Sequence, residues 1–276
     1  MESVALMTCG TCFFISMHFC SRKLLQIYFP KQLTEANIYV IACRFVSGAQ
    51  AVLASCVGAI IAASCNDIMK DMHWLTNAYV WFGAPYFVYD MWAMYAYYTR
   101  SHEQLFAGKS VQDKVVTFVR HNKTMVCHHI LLPSILLPLI LVLRENRGDF
   151  FFGVFYMIEL VVPFISAREI LIQMGLKSSR SYFVTSLLMV VFFFFCRLAV
   201  FPYLYFRYSL YADIPFLRVP YHIPIKCNVS CFLILAPQVY WFALMLRGLY
   251  RVFAKLSKKE SQTAVTDNHF DKSHHS

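Results

Sequence analysis

Read for where apolar and polar positions fall, the chain divides into long apolar runs separated by short polar stretches. The runs at 4–20, 37–64, 78–98, 125–143, 150–172, 182–206 and 227–246 each approach or exceed the length a helix needs to cross hydrocarbon, about 20 residues. The first is the shortest. Glu2 precedes it while Arg22 and Lys23 follow it, the reverse of the basic front of a secretory signal, so it reads as an uncleaved anchor. The pattern predicts an all-α fold: a polytopic membrane helix bundle of about seven transmembrane helices, six in a core plus the N-terminal anchor. The chain then divides into an anchor with a basic loop at 1–34, a core domain at 35–253 and a polar tail at 254–276, which reads as disordered after Ser257. Only the connections 99–124 and 207–226 are long, which leaves no room for a second domain. The first holds "QDKVVTFVRHNK", whose mix of apolar and basic residues suits a helix lying on a membrane surface.

Composition agrees with this reading. Of the 276 residues 59% are hydrophobic and 14% charged, where a soluble domain carries roughly 25% charged residues. Most of the ten cysteines fall inside apolar runs, where a free thiol acts as a small hydrophobe. Cys9 and Cys12 form a CxxC without a second pair, so no metal site is expected. The formal charge of +10 is assigned to loops facing anionic lipid, not to nucleic acid. With the N-terminus lumenal, the cytosolic segments hold Arg22, Lys23, Lys31, Arg100, Lys109, Lys114, Arg120, Lys123, Lys177, Arg180 and the basic residues from Arg247 to Lys272. The other side holds only Lys70, Arg144, Arg147, Arg207, Arg218 and Lys226. Positive charge is retained in the cytosol, so the C-terminus is expected there too. The sequons at Asn122 and Asn228 are expected to be unused: the first is cytosolic in this topology and the second abuts a span.

Against this apolar background the candidate chemistry stands out. Each ionisable group at membrane depth costs roughly 3 kcal/mol, and the spans carry Arg44, Asp90, His128, His129, Glu159, Arg168, Glu169 and Arg197. For Arg44, Arg168, Glu169 and Arg197, pairing that holds helices together explains their presence as well as function does. Asp90, His128, His129 and Glu159 invite a sharper reading. The histidines sit just inside the cytosolic end of their run, Asp90 eight residues from the end of 78–98 and Glu159 thirteen from the end of 150–172. Together they form a ladder from the cytosolic face towards the midplane, as a track lined with polar groups requires. Adjacent helix residues point about 100° apart, so one histidine is expected to line the cavity while the other orients it or packs aside. Pro133 frees the carbonyl of His129 and Pro163 that of Glu159, which predicts backbone breaks at both. A histidine here can act as general base or nucleophile. The paired histidines alone lack the further histidine boxes a membrane di-iron centre needs.

The blocks "HWLTNAYVWFGAPYFVYDMWAMY", "CHHILL", "GDFFFGVFYMIELVVPF", "CRLAVFPYLY" and "LAPQVYWF" together resemble the TLC-domain family, most nearly its branch of TLC domain-containing protein 3. The family groups ceramide synthases with translocon-associated and lipid-regulatory membrane proteins, and the likeness covers about Glu35 to Phe253. It implies an N-acyltransferase of the endoplasmic reticulum, or of the Golgi, that joins a fatty acyl-CoA to a sphingoid base. Acyl-CoA would be its co-substrate, with no bound cofactor and no metal. The paired histidines of that signature match His128 and His129. Further along, Glu159 stands for one acid, while Val162 falls where the second acid belongs and Ile158 where a histidine does; the homeobox-like segment of many synthases is absent. The resemblance assigns His128, His129, Asp90 and Glu159 to catalysis and Arg44, Tyr86, Arg168 and Arg197 to substrate binding. Its partners are lipid substrates and membrane lipids, with no nucleic acid, in a homo- or hetero-oligomer. The alternative in the same family is a non-catalytic protein that binds lipid and regulates membrane composition. The final "KSHHS" fits a cytosolic retrieval signal, in keeping with the endoplasmic reticulum.

Overall fold

The computed structural model describes residues 1–144 and 147–273; the side chains of Leu143 and of 252–273 lie outside the description. Among the described residues it is helical, without strands. In chain order the main helices are α1 (Glu2–Tyr28), α2 (Glu35–Ser64), α3 (Trp74–Ser101), α4 (Val111–His121), α5 (Lys123–Val142), α6 (Asp149–Gln173), α7 (Arg180–Ala212) and α8 (Ile225–Ser273). Six of these, all except α3 and α4, contain stretches long and apolar enough to cross a membrane. The chain is therefore a polytopic membrane helix bundle. The run expected at 78–98 lies within α3, whose 28 residues are long enough but which spends its length on Tyr79, Tyr86, Tyr89, Tyr95, Tyr97, Tyr98 and Asp90. Tyr79, Tyr86 and Tyr89 turn inward, and Tyr95 and Tyr98 pack against Phe118 of α4, while Tyr97 stays exposed.

Polar residues fix where the helices begin. Thr34 accepts from the backbone N–H of Asn37 at 3.2 Å to start α2, and Ser179 accepts from that of Tyr182 at 3.1 Å to start α7. Ser110 caps α4 by accepting from the N–H of Asp113, and its hydroxyl donates to the Asp113 carboxylate at 2.7 Å. Each such cap satisfies a donor that the first helical turn leaves open. Helix α4 is the amphipathic segment anticipated in the 99–124 connection. Its Phe118 is buried, with its ring 5.6 Å from those of both Tyr95 and Tyr98, while Val111 and Val116 stay exposed.

Among the described residues three apolar clusters hold the bundle, the smallest formed by Val80 of α3, Ile140 of α5 and Phe152 of α6. Phe14, Tyr39, Cys43, Val46, Tyr86, Tyr89 and Ala93 join α1, α2 and α3. Phe150, Val154 and Ile158 of α6 pack on Val200, Phe201 and Leu204 of α7. Helices α2 and α6 cross with backbones in contact: a Cβ added to Gly153 would lie 2.8 Å from the carbonyl oxygen of Gly58. Small residues permit such approach where apolar lipid gives no hydrophobic drive to association.

Just before α6 lies a buried clasp. Arg144 pairs with Asp149, and its guanidinium also donates to Asn77 Oδ1 at 2.6 Å, while Asp149 accepts from the backbone N–H of His73 at 2.8 Å. Counted by sequence as one more loop charge, Arg144 instead fastens α5, α6 and the start of α3 together.

The tail departs from expectation. Helix α8 continues to Ser273, so residues 258–273, expected to be disordered, are helical, and the last three residues of the chain lie outside the described residues. After Gly248 the sequence holds no glycine or proline, the two residues that most disfavour a helix interior.

Candidate functional site

Helices α2, α3, α5, α6, α7 and α8 enclose a cavity of about 480 Å³, within the range of small-molecule sites. Its apolar walls include Leu132, Leu136, Leu137 and Ile140 of α5 and Phe193 of α7. Its polar residues include Arg44, Tyr86, Asp90, His128, His129, Glu159 and Arg197. Seven of the eight candidate residues thus share one cavity. Arg168 does not. Its guanidinium donates to the Tyr182 hydroxyl at 2.7 Å and lies 5.1 Å from that ring's centroid, joining α6 to α7. Glu169, from the wider set, accepts from Gln173 one turn along.

The tandem histidines divide as helix geometry requires. His129 Nε2 stands 3.3 Å from Asp90 Oδ2, both side chains only 12% exposed, whereas its Nδ1 is buried without a partner among the described residues. The His128 ring, 5.5 Å from that of His129 at 89°, turns edge-on to Trp241 of α8 at 5.3 Å. The sequence left both Asp90 and Glu159 open as the partner of His129. The structure places Asp90 there and pairs Glu159 with Arg197 at 3.1 Å.

That second pair sits on irregular backbone from both sides. Glu159 lies in a 3₁₀ turn at Ile158–Val161, and Arg197 in a π-helical stretch at Phe194–Ala199. Pro163 explains the first: lacking an N–H, it cannot serve the Glu159 carbonyl, which instead accepts from the N–H of Val162. The break expected at His129 does not occur, because the α-helix runs through Pro133 from Lys123 to Pro138. Proline in a membrane helix is tolerated without a break when surrounding packing holds the turn.

Several cavity-lining residues escaped the sequence reading. Gln50 and Gln238 are buried, and the side-chain carbonyl oxygen of each lacks a partner among the described residues. A glutamine inside an apolar run was the available signal. His18 of α1 was also missed. It is buried outside the cavity and shares a hydrogen bond of 2.9 Å with the hydroxyl of Tyr89, the neighbour of Asp90. Among the described residues no three His, Cys, Asp or Glu side chains converge as a metal-binding group.

Such an arrangement can hold an acyl chain against its apolar walls with the polar end beside a carboxylate-oriented imidazole, the geometry of a general base or nucleophile. Comparison with known proteins bears on which chemistry this is. Residues 41–247 match the family model of the TLC domain. Human TLC domain-containing protein 4 is 24% identical to the chain over 152 residues, which cover 54% of this chain and 57% of that protein. The chain therefore spans little more than half the length of that relative.

Proposed function

The chain belongs to the TLC-domain family, and on that premise we propose that it is a ceramide-synthase-like N-acyltransferase of the TLC domain-containing protein 3 branch. It joins a fatty acyl-CoA to a sphingoid base. The observation that carries this reading is the contact between His129 and Asp90 at the polar side of an otherwise apolar cavity. Asp90 faces Nε2 and fixes the tautomer, which leaves Nδ1 as the proton acceptor. The amine nitrogen attacks the thioester carbonyl as His129 takes its proton. The carbon–sulfur bond breaks, and the proton leaves with the coenzyme A thiolate, giving amide and free thiol. Tyr86, Arg44, the Glu159–Arg197 pair and His128 shape the polar side, and the acyl chain lies along α5 and α7. The basic residues of 99–124 face the cytosol in this reading and draw in the anionic acyl-CoA. The protein then lies in the endoplasmic reticulum membrane, or the Golgi, with its N-terminus lumenal and C-terminus cytosolic.

A second reading keeps the cavity and removes the chemistry: a lipid-binding TLC protein that regulates membrane composition. It is favoured by the Arg197 ion pair, which neutralises Glu159, and by Val162 in place of a second acid. Purified full-length protein in nanodiscs, given sphinganine and labelled acyl-CoA, separates the two. Wild type is expected to form labelled ceramide, with His129→Ala and Asp90→Asn reduced at least about a hundredfold. Folded wild type that binds acyl-CoA and forms no ceramide excludes the enzyme and leaves the binder.

A further inference from the structure

The two guanidiniums that line the cavity are not equally partnered. Asp90 is matched by His129 and Glu159 by Arg197, which leaves Arg44. Among the described residues Arg44 has no carboxylate within ion-pairing distance, and its Nε is buried without a hydrogen bond. The other guanidiniums reaching into the bundle are engaged: Arg144 with Asp149 and Asn77, Arg168 with Tyr182, Arg197 with Glu159. Arg44 is held in place by its own helix, where the adjacent Cys43, Val46 and Ser47 are all buried. A guanidinium cannot discharge itself by losing a proton, so its charge is permanent.

We propose that Arg44 anchors the anionic head, a carboxylate or a phosphate, of a single-chain lipid held in this cavity. The lining supports an amphiphile with one tail. Arg44, Ser47 and Gln50 lie on α2, whereas Leu132, Leu136 and Leu137 offer an apolar strip on α5. Position argues against the phosphates of coenzyme A. Counted at 1.5 Å per residue from the same end of the bundle, Arg44 is ~14 Å along α2 and His129 ~9 Å along α5. With a thioester at His129, the coenzyme lies outward of it, and Arg44 faces a different group. The planar fork of arginine matches a carboxylate or phosphate through two parallel hydrogen bonds. This inference rests on the reading of the cavity as a lipid site; only the exclusion of the coenzyme A phosphates depends on a thioester at His129.

The test is a tryptophan-fluorescence titration, with Trp241 as reporter, of full-length protein in phosphatidylcholine nanodiscs. The probes are oleate, 1-oleoyl lysophosphatidic acid and, as the neutral control, oleyl alcohol. Wild type is expected to bind at least one anion about tenfold or more tighter than the alcohol, and the tighter of the two names the source of the head group. Arg44→Gln is expected to lose that margin while binding the alcohol unchanged, and Arg168→Gln to keep it. Arg44→Lys, which retains the charge without the fork, covers the case in which the glutamine variant fails to fold, and its margin is expected to shrink. Equal binding of anion and alcohol by wild type overturns the assignment, as does an undiminished margin in the folded Arg44 variants. If no probe binds, the alcohol included, the lipid reading of the cavity fails as well, so the two failures are told apart.

Discussion

Arg144 shows how much a single residue can contribute without belonging to the site. Its side chain and that of Asp149 are 4% and 1% exposed, so removing either leaves the other charged and unpaired in the interior. Arg144→Ala is expected to destabilise the fold by about 3–5 kcal/mol, whereas replacing both partners with apolar residues of similar volume should recover most of that loss. Thermal unfolding followed by tryptophan fluorescence measures both. Residue identity was the most legible level of the candidate site, because a charge in an apolar run is conspicuous whatever the fold. Partnership was not legible. Whether His129 meets Asp90 or Glu159 depends on how α3, α5 and α6 are rotated against one another, and spacing within one helix does not encode that rotation. Arg168 shows the same limit: its position within the run does not tell that its side chain reaches Tyr182 and not the cavity.

At the scale of elements, the spans follow from hydrophobic length, and the caps at Thr34, Ser110 and Ser179 follow from residue type. The π-helical stretch at Phe194–Ala199 is less direct: Pro202 frees the carbonyl of Leu198 within it, but the stretch's own residues suit a regular helix equally well. The close crossing of α2 and α6 yields a sharp contrast between glycines. Gly153→Ala drives a methyl group against the backbone of Gly58 and is expected to destabilise by about 1–3 kcal/mol. Gly248→Ala in α8 meets nothing within 4 Å and is expected to be neutral or to stabilise by up to ~1 kcal/mol. Parallel melts of the two variants check the pair.

Over the whole molecule, the account requires the His129 end of the bundle to face the cytosol, as the distribution of lysine and arginine favours. A glycosylation acceptor inserted beside Asp213 is therefore expected to gain a glycan, seen as a mass shift removed by endoglycosidase. The same insertion beside Gly108 is expected to gain none, and the reverse pattern would invert the topology. The native sequon at Asn228 should stay unmodified. Its amide donates to the Pro220 carbonyl at 2.7 Å and its oxygen accepts from Tyr205 at 2.6 Å, so the side chain is already engaged. The central claim is that the polar cluster and the apolar cavity form one site for a lipid chain. Photo-crosslinking with an acyl-CoA carrying a diazirine at its chain terminus addresses it directly. Adducts at Leu136, Ile140 and Phe193 that unlabelled acyl-CoA competes away are the predicted result. Adducts confined to the outer face of α1 and insensitive to competitor would contradict it.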